Sequence, residues 1–132
     1  MAKKVLVVDD SSSIRRFIGH FLKKGGFEVI EAVDGHQGVQ VIEDTKDIDL
    51  VFCDVNMPFF NGIQMLEKLS KNGSLGKTKV VMLTTEASME LVERARRAGA
   101  RGWMVKPVDP DRLLFIARSL VEERAVNETT GE

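Results

Sequence analysis

Residues 5–10 of this chain are Val5-Leu6-Val7-Val8-Asp9-Asp10, a short apolar run that ends abruptly at two aspartates. The run is short and rich in β-branched side chains, which favours a strand buried on both faces over a buried helix. In open α/β sheets, ligands bind beyond the carboxyl ends of the strands. The segment therefore predicts a central strand with a polar site at its carboxyl end.

The same alternation of a short apolar run with an amphipathic helix occurs five times along the chain. Besides the first run, the predicted strands are Phe27–Ala32, Leu50–Cys53, Val80–Leu83 and Trp103–Val105. Strict alternation of strand and helix predicts an open parallel sheet with helices on both faces. The second strand carries Glu28 and Glu31 and is expected at an edge, whereas the other four are expected to be buried on both faces.

Residues that start or stop helices separate these segments. Gly25-Gly26 is expected to end the first helix. Asn61, with Gln64 three residues later, resembles a capping box for the third helix. Ser88 is the expected cap of the fourth helix, and Asp109-Pro110 begins the fifth. These signals place polar loops directly after the strands, where a site is expected.

Length and composition set limits on the function. The chain has 132 residues, 43% of them hydrophobic, and a formal net charge of -1, which suits one domain spanning residues 1–132 with a polar tail at 126–132 that is expected to fray. The charge balance argues against nucleic-acid binding. No apolar stretch approaches the ~20 residues of a membrane helix. The single cysteine, Cys53, excludes an internal disulfide, and a cytoplasmic location is expected.

Polar residues follow four of the five predicted strands at the carboxyl edge. They are Asp9 and Asp10, Asp54, Thr84 and Lys106. Three carboxylates at one point repel one another unless a cation neutralises them, and Mg²⁺ suits a site of carboxylates, waters and a phosphoryl oxygen. A carboxylate can itself accept a phosphoryl group, and a hydroxyl and a lysine can hold its oxygens. Any one of these acids could simply cap a helix, but the set together favours a phosphoryl site.

The motifs Val7-Val8-Asp9-Asp10, Asp54-Val55-Asn56-Met57-Pro58, Asn61-Gly62, Leu83-Thr84 and Lys106-Pro107 occur in one order and spacing. With them the chain resembles the response-regulator receiver family over about residues 3–123. The resemblance implies a flavodoxin-like, doubly wound (βα)5 fold with a five-stranded parallel sheet in the order 2-1-3-4-5. It also implies a Lys106-Pro107 bond in the cis form.

The resemblance further implies a role for each motif residue. Asp54 would be the phosphoacceptor, and Thr84 and Lys106 would contact the phosphoryl oxygens. Asp10, Asp54 and the backbone carbonyl of Asn56 would bind Mg²⁺, with Asp9 assisting through water. The chain would be a signalling switch that catalyses only its own phosphorylation and dephosphorylation. Its partners would be a histidine kinase as donor, a downstream protein such as a flagellar motor switch protein, and a phosphatase.

Four further positions concern switching and lifetime in this family. Trp103 falls where receivers place a switch aromatic, usually a Tyr or Phe. Asn56 and Glu86 occupy the two positions that tune phosphoryl lifetime, and the pair resembles rapidly decaying receivers. Thr85 departs from the small residue that is common there, and its bulk is expected to hinder water or a small donor.

Several residues have both a plain and a functional interpretation. Cys53 is expected in the core, and His20 and His36 on the surface. Phe59 and Phe60 either fold back on the loop after Asp54 or form an apolar anchor for a kinase or phosphatase.

A basic cluster on the fourth helix also has two interpretations. Arg94, Arg96 and Arg97 either form a solvated face or contribute to the surface of helix four, strand five and helix five, with which receivers commonly bind targets. Arg94 and Arg97 are the expected partner contacts.

Three alternative functions follow from parts of the pattern. A phosphorelay intermediate or a kinase-regulating receiver would use the same site. A phosphatase of the haloacid dehalogenase type also uses an aspartate and Mg²⁺, but requires Asp-x-Asp where this chain has adjacent Asp9 and Asp10. A flavin binder would need a glycine-containing phosphate loop, whereas Ser11-Ser12-Ser13 lies beside two repelling acids.

Overall fold

The computed structural model describes residues 2–58, 60–85 and 88–130, with side chains described as far as residue 122. Strands and helices alternate throughout. The elements, in chain order, are β1 (Lys4–Val8), α1 (Ser12–Lys24), β2 (Glu28–Ala32), α2 (Gly35–Asp44), β3 (Ile48–Asp54), α3 (Gly62–Lys71), β4 (Lys79–Thr84), α4 (Met89–Arg97), β5 (Gly102–Val105) and α5 (Pro110–Thr130).

The five strands form one parallel sheet in the order β2-β1-β3-β4-β5, so the predicted fold class is confirmed. The expected edge position of β2 is also correct. The expectation of burial on both faces was wrong for β5, which forms the second edge and exposes Val105. Its four residues are too few to show alternation, so the sequence did not reveal that edge.

Alternating residues of β1 supply the two hydrophobic cores, because successive strand side chains point to opposite faces. Val5 and Val7 pack with the buried residues of α1 and α5, whereas Leu6 and Val8 pack with those of α2, α3 and α4. Cys53 lies in the second of these cores, as expected, and burial raises the pKa of its thiol.

The helix termini follow the predicted signals. Ser88 accepts a hydrogen bond from the Leu91 backbone amide at the start of α4, as expected, and Asn61 and Gln64 form the expected capping box of α3. Ser11 accepts from the Ile14 amide at the start of α1, a cap that the sequence did not predict. The Arg112 amide donates to Asp109 at the start of α5, 3.0 Å away. The backbone of α5 continues to Thr130, so fraying of the tail remains a prediction and residues 131–132 lie outside the described part. No helix in the described ranges is long and apolar enough to cross a membrane.

Candidate phosphoryl site

The carboxyl edge of the sheet brings together the five polar residues selected from the sequence. Asp9 and Asp10 follow β1, and Lys106 follows β5. Asp54 and Thr84 are the last residues of β3 and β4, one position further inside the strands than expected. Asp9, Asp54 and Thr84 are buried, whereas Asp10 is exposed.

Lys106 lies between two of the carboxylates. Its Nζ is 2.9 Å from Asp9 Oδ2 and 3.2 Å from Asp54 Oδ1, and only 11% of its side chain is exposed. Burial alone would lower the pKa of Lys106, but the hydrogen bond to Asp9 and the charge of Asp54 outweigh it and raise that pKa. The ammonium therefore stays charged and partly neutralises the site.

The pKa of the Asp54 carboxyl remains raised despite the neighbouring Lys106. Burial and the neighbouring charge of Asp9 raise the pKa of Asp54, although the Asn56 amide and Lys106 act in the opposite direction. The backbone amide of Asn56 donates to Asp54 Oδ1 over 3.0 Å and fixes the orientation of the carboxylate. A raised carboxyl pKa at this position means that additional positive charge beside Asp54 is favourable.

The three acids are close enough to share one cation. One oxygen from each of Asp9, Asp10 and Asp54 lies within 4.8 Å of the others. Carboxylate oxygens are the donors that Mg²⁺ prefers, and Asp10 is open to the waters that Mg²⁺ retains. The donor set therefore fits the expected metal, and the Asn56 backbone carbonyl lies in the loop directly after Asp54.

Thr84 is tied to the loop that follows Asp54. Its Oγ1 donates to Asn56 Oδ1 over 3.0 Å, and the Thr85 amide is 3.5 Å from the same oxygen. The Lys106 amide donates to the Thr84 carbonyl over 2.7 Å, and the Lys106–Pro107 peptide bond is cis, as the resemblance implies. The ends of β3, β4 and β5 are thus linked through polar groups.

Residues that the sequence analysis missed hold Asp9 and Asp54 in place. The Ser11 amide donates to Asp9 Oδ1, and Arg15 Nη1 donates to the Asp9 carbonyl over 2.7 Å. Gly62 begins α3 so close to β3 that a Cβ there would lie 2.3 Å from the Asp54 carbonyl oxygen. Gly62 belongs to the Asn61-Gly62 motif, but the motif alone does not reveal this close approach.

Of the two phenylalanines in the loop after Asp54, the structure describes one. Phe59 lies outside the described residues. Phe60 is partly buried, and its ring stacks on His36 with 4.7 Å between ring centroids. The ring also lies against Gly35, where a Cβ would be 2.5 Å from Phe60 Cδ2. Phe60 therefore folds back on the start of α2, which is the plainer of the two interpretations.

Trp103 is half-buried on β5 and packs against the core on the α2, α3 and α4 side. A cavity of about 140 Å³ beside it is lined in part by Val92, Arg96 and Gly102. The indole Nε1 is buried and has no hydrogen-bond partner among the described residues. The side chain is therefore not fixed by a polar anchor within that part of the chain.

The lifetime positions are only partly described. Asn56 and Thr85 are exposed at the site, while Glu86 lies outside the described residues. The expected hindrance of water or a small donor by the exposed Thr85 side chain stays a prediction. The contribution of the Asn56 and Glu86 pair to lifetime stays a prediction.

The arginines of α4 are paired with acids. Arg94 makes two hydrogen bonds of 2.9 Å to Glu67 on α3, and Arg97 lies 3.7 Å from Glu93. Arg94 and Arg97 line a groove between α3 and α4, whereas Arg96 lies on the side of α4 that faces β5. Arg94 and Arg97 thus lie on the side of α4 that faces α3, and their role as partner contacts stays a prediction.

The chain is similar to known proteins in sequence and in fold. The family model for the response regulator receiver domain matches residues 5–118. The chain is 35% identical to chemotaxis protein CheY1 of Helicobacter pylori, covering 81% of this chain and 87% of that protein. It is 39% identical to chemotaxis protein CheY of Treponema pallidum, with coverages of 84% and 77%. The structure of chemotaxis protein CheY4 of Vibrio cholerae superposes with a TM-score of 0.85 at 36% identity, covering 91% of this chain and 99% of that one.

Proposed function

The chain belongs to the response-regulator receiver family, and on that premise we propose that Asp54 accepts a phosphoryl group from a histidine kinase in a Mg²⁺-dependent reaction. The modified protein then binds a downstream protein with altered affinity. The proposal is supported above all by the convergence of Asp9, Asp10 and Asp54 within 4.8 Å, with Lys106 Nζ 3.2 Å from Asp54. We assign residues 1–132 to a single receiver domain in the cytoplasm.

The transfer requires alignment and charge neutralisation more than covalent catalysis by the protein. A carboxylate oxygen of Asp54 forms the new bond to phosphorus while the phosphorus–nitrogen bond of the donor phosphohistidine breaks. The imidazole leaves with the bonding electron pair and takes up a proton. The Asn56 amide and Lys106 orient the Asp54 carboxylate before the reaction.

The remaining residues act on the phosphoryl oxygens. Mg²⁺, held by Asp10, Asp54 and the Asn56 carbonyl, with Asp9 acting through water, would supply charge neutralisation. Lys106 contributes a cation to one oxygen, and Thr84 turns to donate a charge-assisted hydrogen bond to another. That movement couples the site to Trp103, which lies beside a cavity next to α4.

The downstream partner is expected to contact the surface of α4, β5 and α5. Met89, Val105 and Phe115 lie on these elements and are 89%, 51% and 71% exposed. Large exposed apolar side chains are typical of protein contact surfaces. Because the similar proteins named above are chemotaxis proteins, we propose a flagellar motor switch protein as the target.

Phosphorylation with acetyl phosphate and Mg²⁺ tests the proposal directly. Intact mass spectrometry should show one added phosphoryl group that hydroxylamine removes. Asp54→Asn should abolish the addition, whereas Asp111→Asn, at an exposed acid of α5, should leave it unchanged. A hydroxylamine-sensitive phosphoryl group at wild-type yield on the Asp54→Asn protein would contradict the proposal.

A further inference from the structure

The side chain of Asn56 holds the hydroxyl of Thr84 in the unmodified protein. Thr84 Oγ1 donates to Asn56 Oδ1 over 3.0 Å, and the Thr85 amide points to the same atom from 3.5 Å. Because a backbone amide can only donate, the Thr85 contact identifies this atom as the side-chain oxygen, which accepts the proton of the Thr84 hydroxyl. Thr84 is buried and Asn56 is exposed, so the bond connects the interior of the sheet to the surface of the site.

This bond competes with the role proposed for Thr84. A threonine hydroxyl has a single proton to donate. While that proton is donated to Asn56, it cannot be donated to a phosphoryl oxygen on Asp54. The resting hydrogen bond and the activating hydrogen bond therefore exclude each other.

We propose that Asn56 is a positioning residue whose side-chain oxygen keeps Thr84 in its resting orientation and so biases the unmodified protein toward the resting state. This inference rests on the proposed function, because it concerns the same switch. It is separate from the metal contact of Asn56, which uses the backbone carbonyl. It is also separate from any effect on hydrolysis, because it acts before the phosphoryl group arrives.

The expected consequence is a gain in affinity for a phosphoryl mimic when the side-chain acceptor is removed. Beryllium fluoride with Mg²⁺ is a suitable probe because it mimics the phosphoryl group and its affinity does not depend on the rate of hydrolysis. A single neutral hydrogen bond contributes enough to predict a gain of about fivefold.

The test compares Asn56→Leu with the wild-type protein. Leucine has nearly the same shape, lacks the acceptor and keeps the backbone carbonyl. Bound beryllium fluoride, counted by ¹⁹F NMR during a titration, should show about fivefold tighter binding. Asn56→Ala, which removes more of the side chain, should change the affinity in the same direction.

A double-mutant comparison isolates the proposed bond. In a Thr84→Val background, where no hydroxyl is present, Asn56→Leu should give no gain in beryllium fluoride affinity. An equal gain in that background, or wild-type affinity for folded Asn56→Leu and Asn56→Ala, would overturn the inference while leaving the proposed function intact. Failure of beryllium fluoride to bind the wild-type protein at Asp54 would overturn both.

Discussion

Two lysines at opposite ends of the sheet differ in what holds their ammonium groups. Lys106, at the carboxyl edge, lies between the carboxylates of Asp9 and Asp54. Lys79, at the amino end of β4, is buried and donates to the backbone carbonyl of Leu120 on α5 over 2.7 Å. The two carboxylates carry negative charge that another cation can neutralise in place of the lysine, whereas the Leu120 carbonyl carries no net charge. We therefore expect polar contacts to rearrange at the carboxyl edge and to serve as fixed supports at the amino edge.

Replacing each lysine tests this difference, and Lys106→Met is expected to change the free energy of unfolding more than any other variant below. In metal-free buffer, Lys106→Met leaves two buried carboxylates without their cation, and we expect a loss of about 3 kcal/mol in the free energy of unfolding. Lys79→Met removes the hydrogen bond to the Leu120 carbonyl, and the loss expected from that bond is about 1 kcal/mol. Urea denaturation followed by circular dichroism measures both values.

The two lysine variants should differ in how much stability they recover when Mg²⁺ is added. Millimolar Mg²⁺ should recover much of the stability that Lys106→Met loses, because it replaces the missing positive charge beside Asp9 and Asp54. It should not recover stability in Lys79→Met beyond its effect on the wild type. Equal recovery in both variants would show that the two ends of the sheet do not differ in this way.

The next largest loss of stability is expected when the close backbone packing at Gly62 is disturbed. Gly62→Ala places a Cβ against the Asp54 carbonyl, so β3 or α3 must shift, and we expect a loss of about 1–3 kcal/mol together with slower phosphorylation by acetyl phosphate. Gly19→Ala is the matched control in α1, since its Cβ would meet Val29 at an ordinary 3.5 Å. It should raise stability by about 0.5–1 kcal/mol and leave phosphorylation unchanged. Normal phosphorylation of Gly62→Ala would show that this contact does not position Asp54.

The pH dependence of stability gives the smallest expected effect. Because the pKa of Asp54 is raised in the folded protein, its ionised form destabilises the fold, and this cost grows as pH rises from the unfolded-state pKa through the folded one. Asp54→Asn should therefore melt at a higher temperature than the wild type in metal-free buffer at pH 7. The difference should shrink as the pH falls into the range where Asp54 is protonated in both states. A variant that melts lower at pH 7 would show that the contacts of Asp54 with Lys106 and the Asn56 backbone amide outweigh its burial and its repulsion from Asp9.

The sequence predicted the fold well because local signals and the apolar pattern agreed. The four-residue apolar run before Asp9 indicated a buried strand, and Asn61 with Gln64 marked the start of α3 correctly. Strand ends were less well defined, since Asp54 and Thr84 belong to their strands through backbone pairing that polar character does not reveal. The short, apolar sequence of β5 likewise did not indicate that this strand lies at an edge of the sheet.

The site was predicted in its residues but not in its contacts. Parallel strands bring their carboxyl ends together, so Asp9, Asp54 and Lys106 could be grouped from the sequence alone. The contact between Thr84 and Asn56 depends on how the loop after Asp54 folds, and no sequence spacing encodes it. The pairing of Arg94 with Glu67 depends in the same way on how α3 packs against α4.

The fluorescence of Trp103 tests most directly whether the carboxyl edge rearranges when Asp54 is modified. Trp103 is the only tryptophan and the chain has no tyrosine, so the emission comes essentially from one indole. Adding Mg²⁺ and beryllium fluoride should shift the emission to shorter wavelength and reduce quenching by acrylamide, and Thr84→Ala should weaken both changes. Unchanged emission and quenching, with beryllium fluoride shown by ¹⁹F NMR to be bound at Asp54, would contradict the coupling of the site to β5.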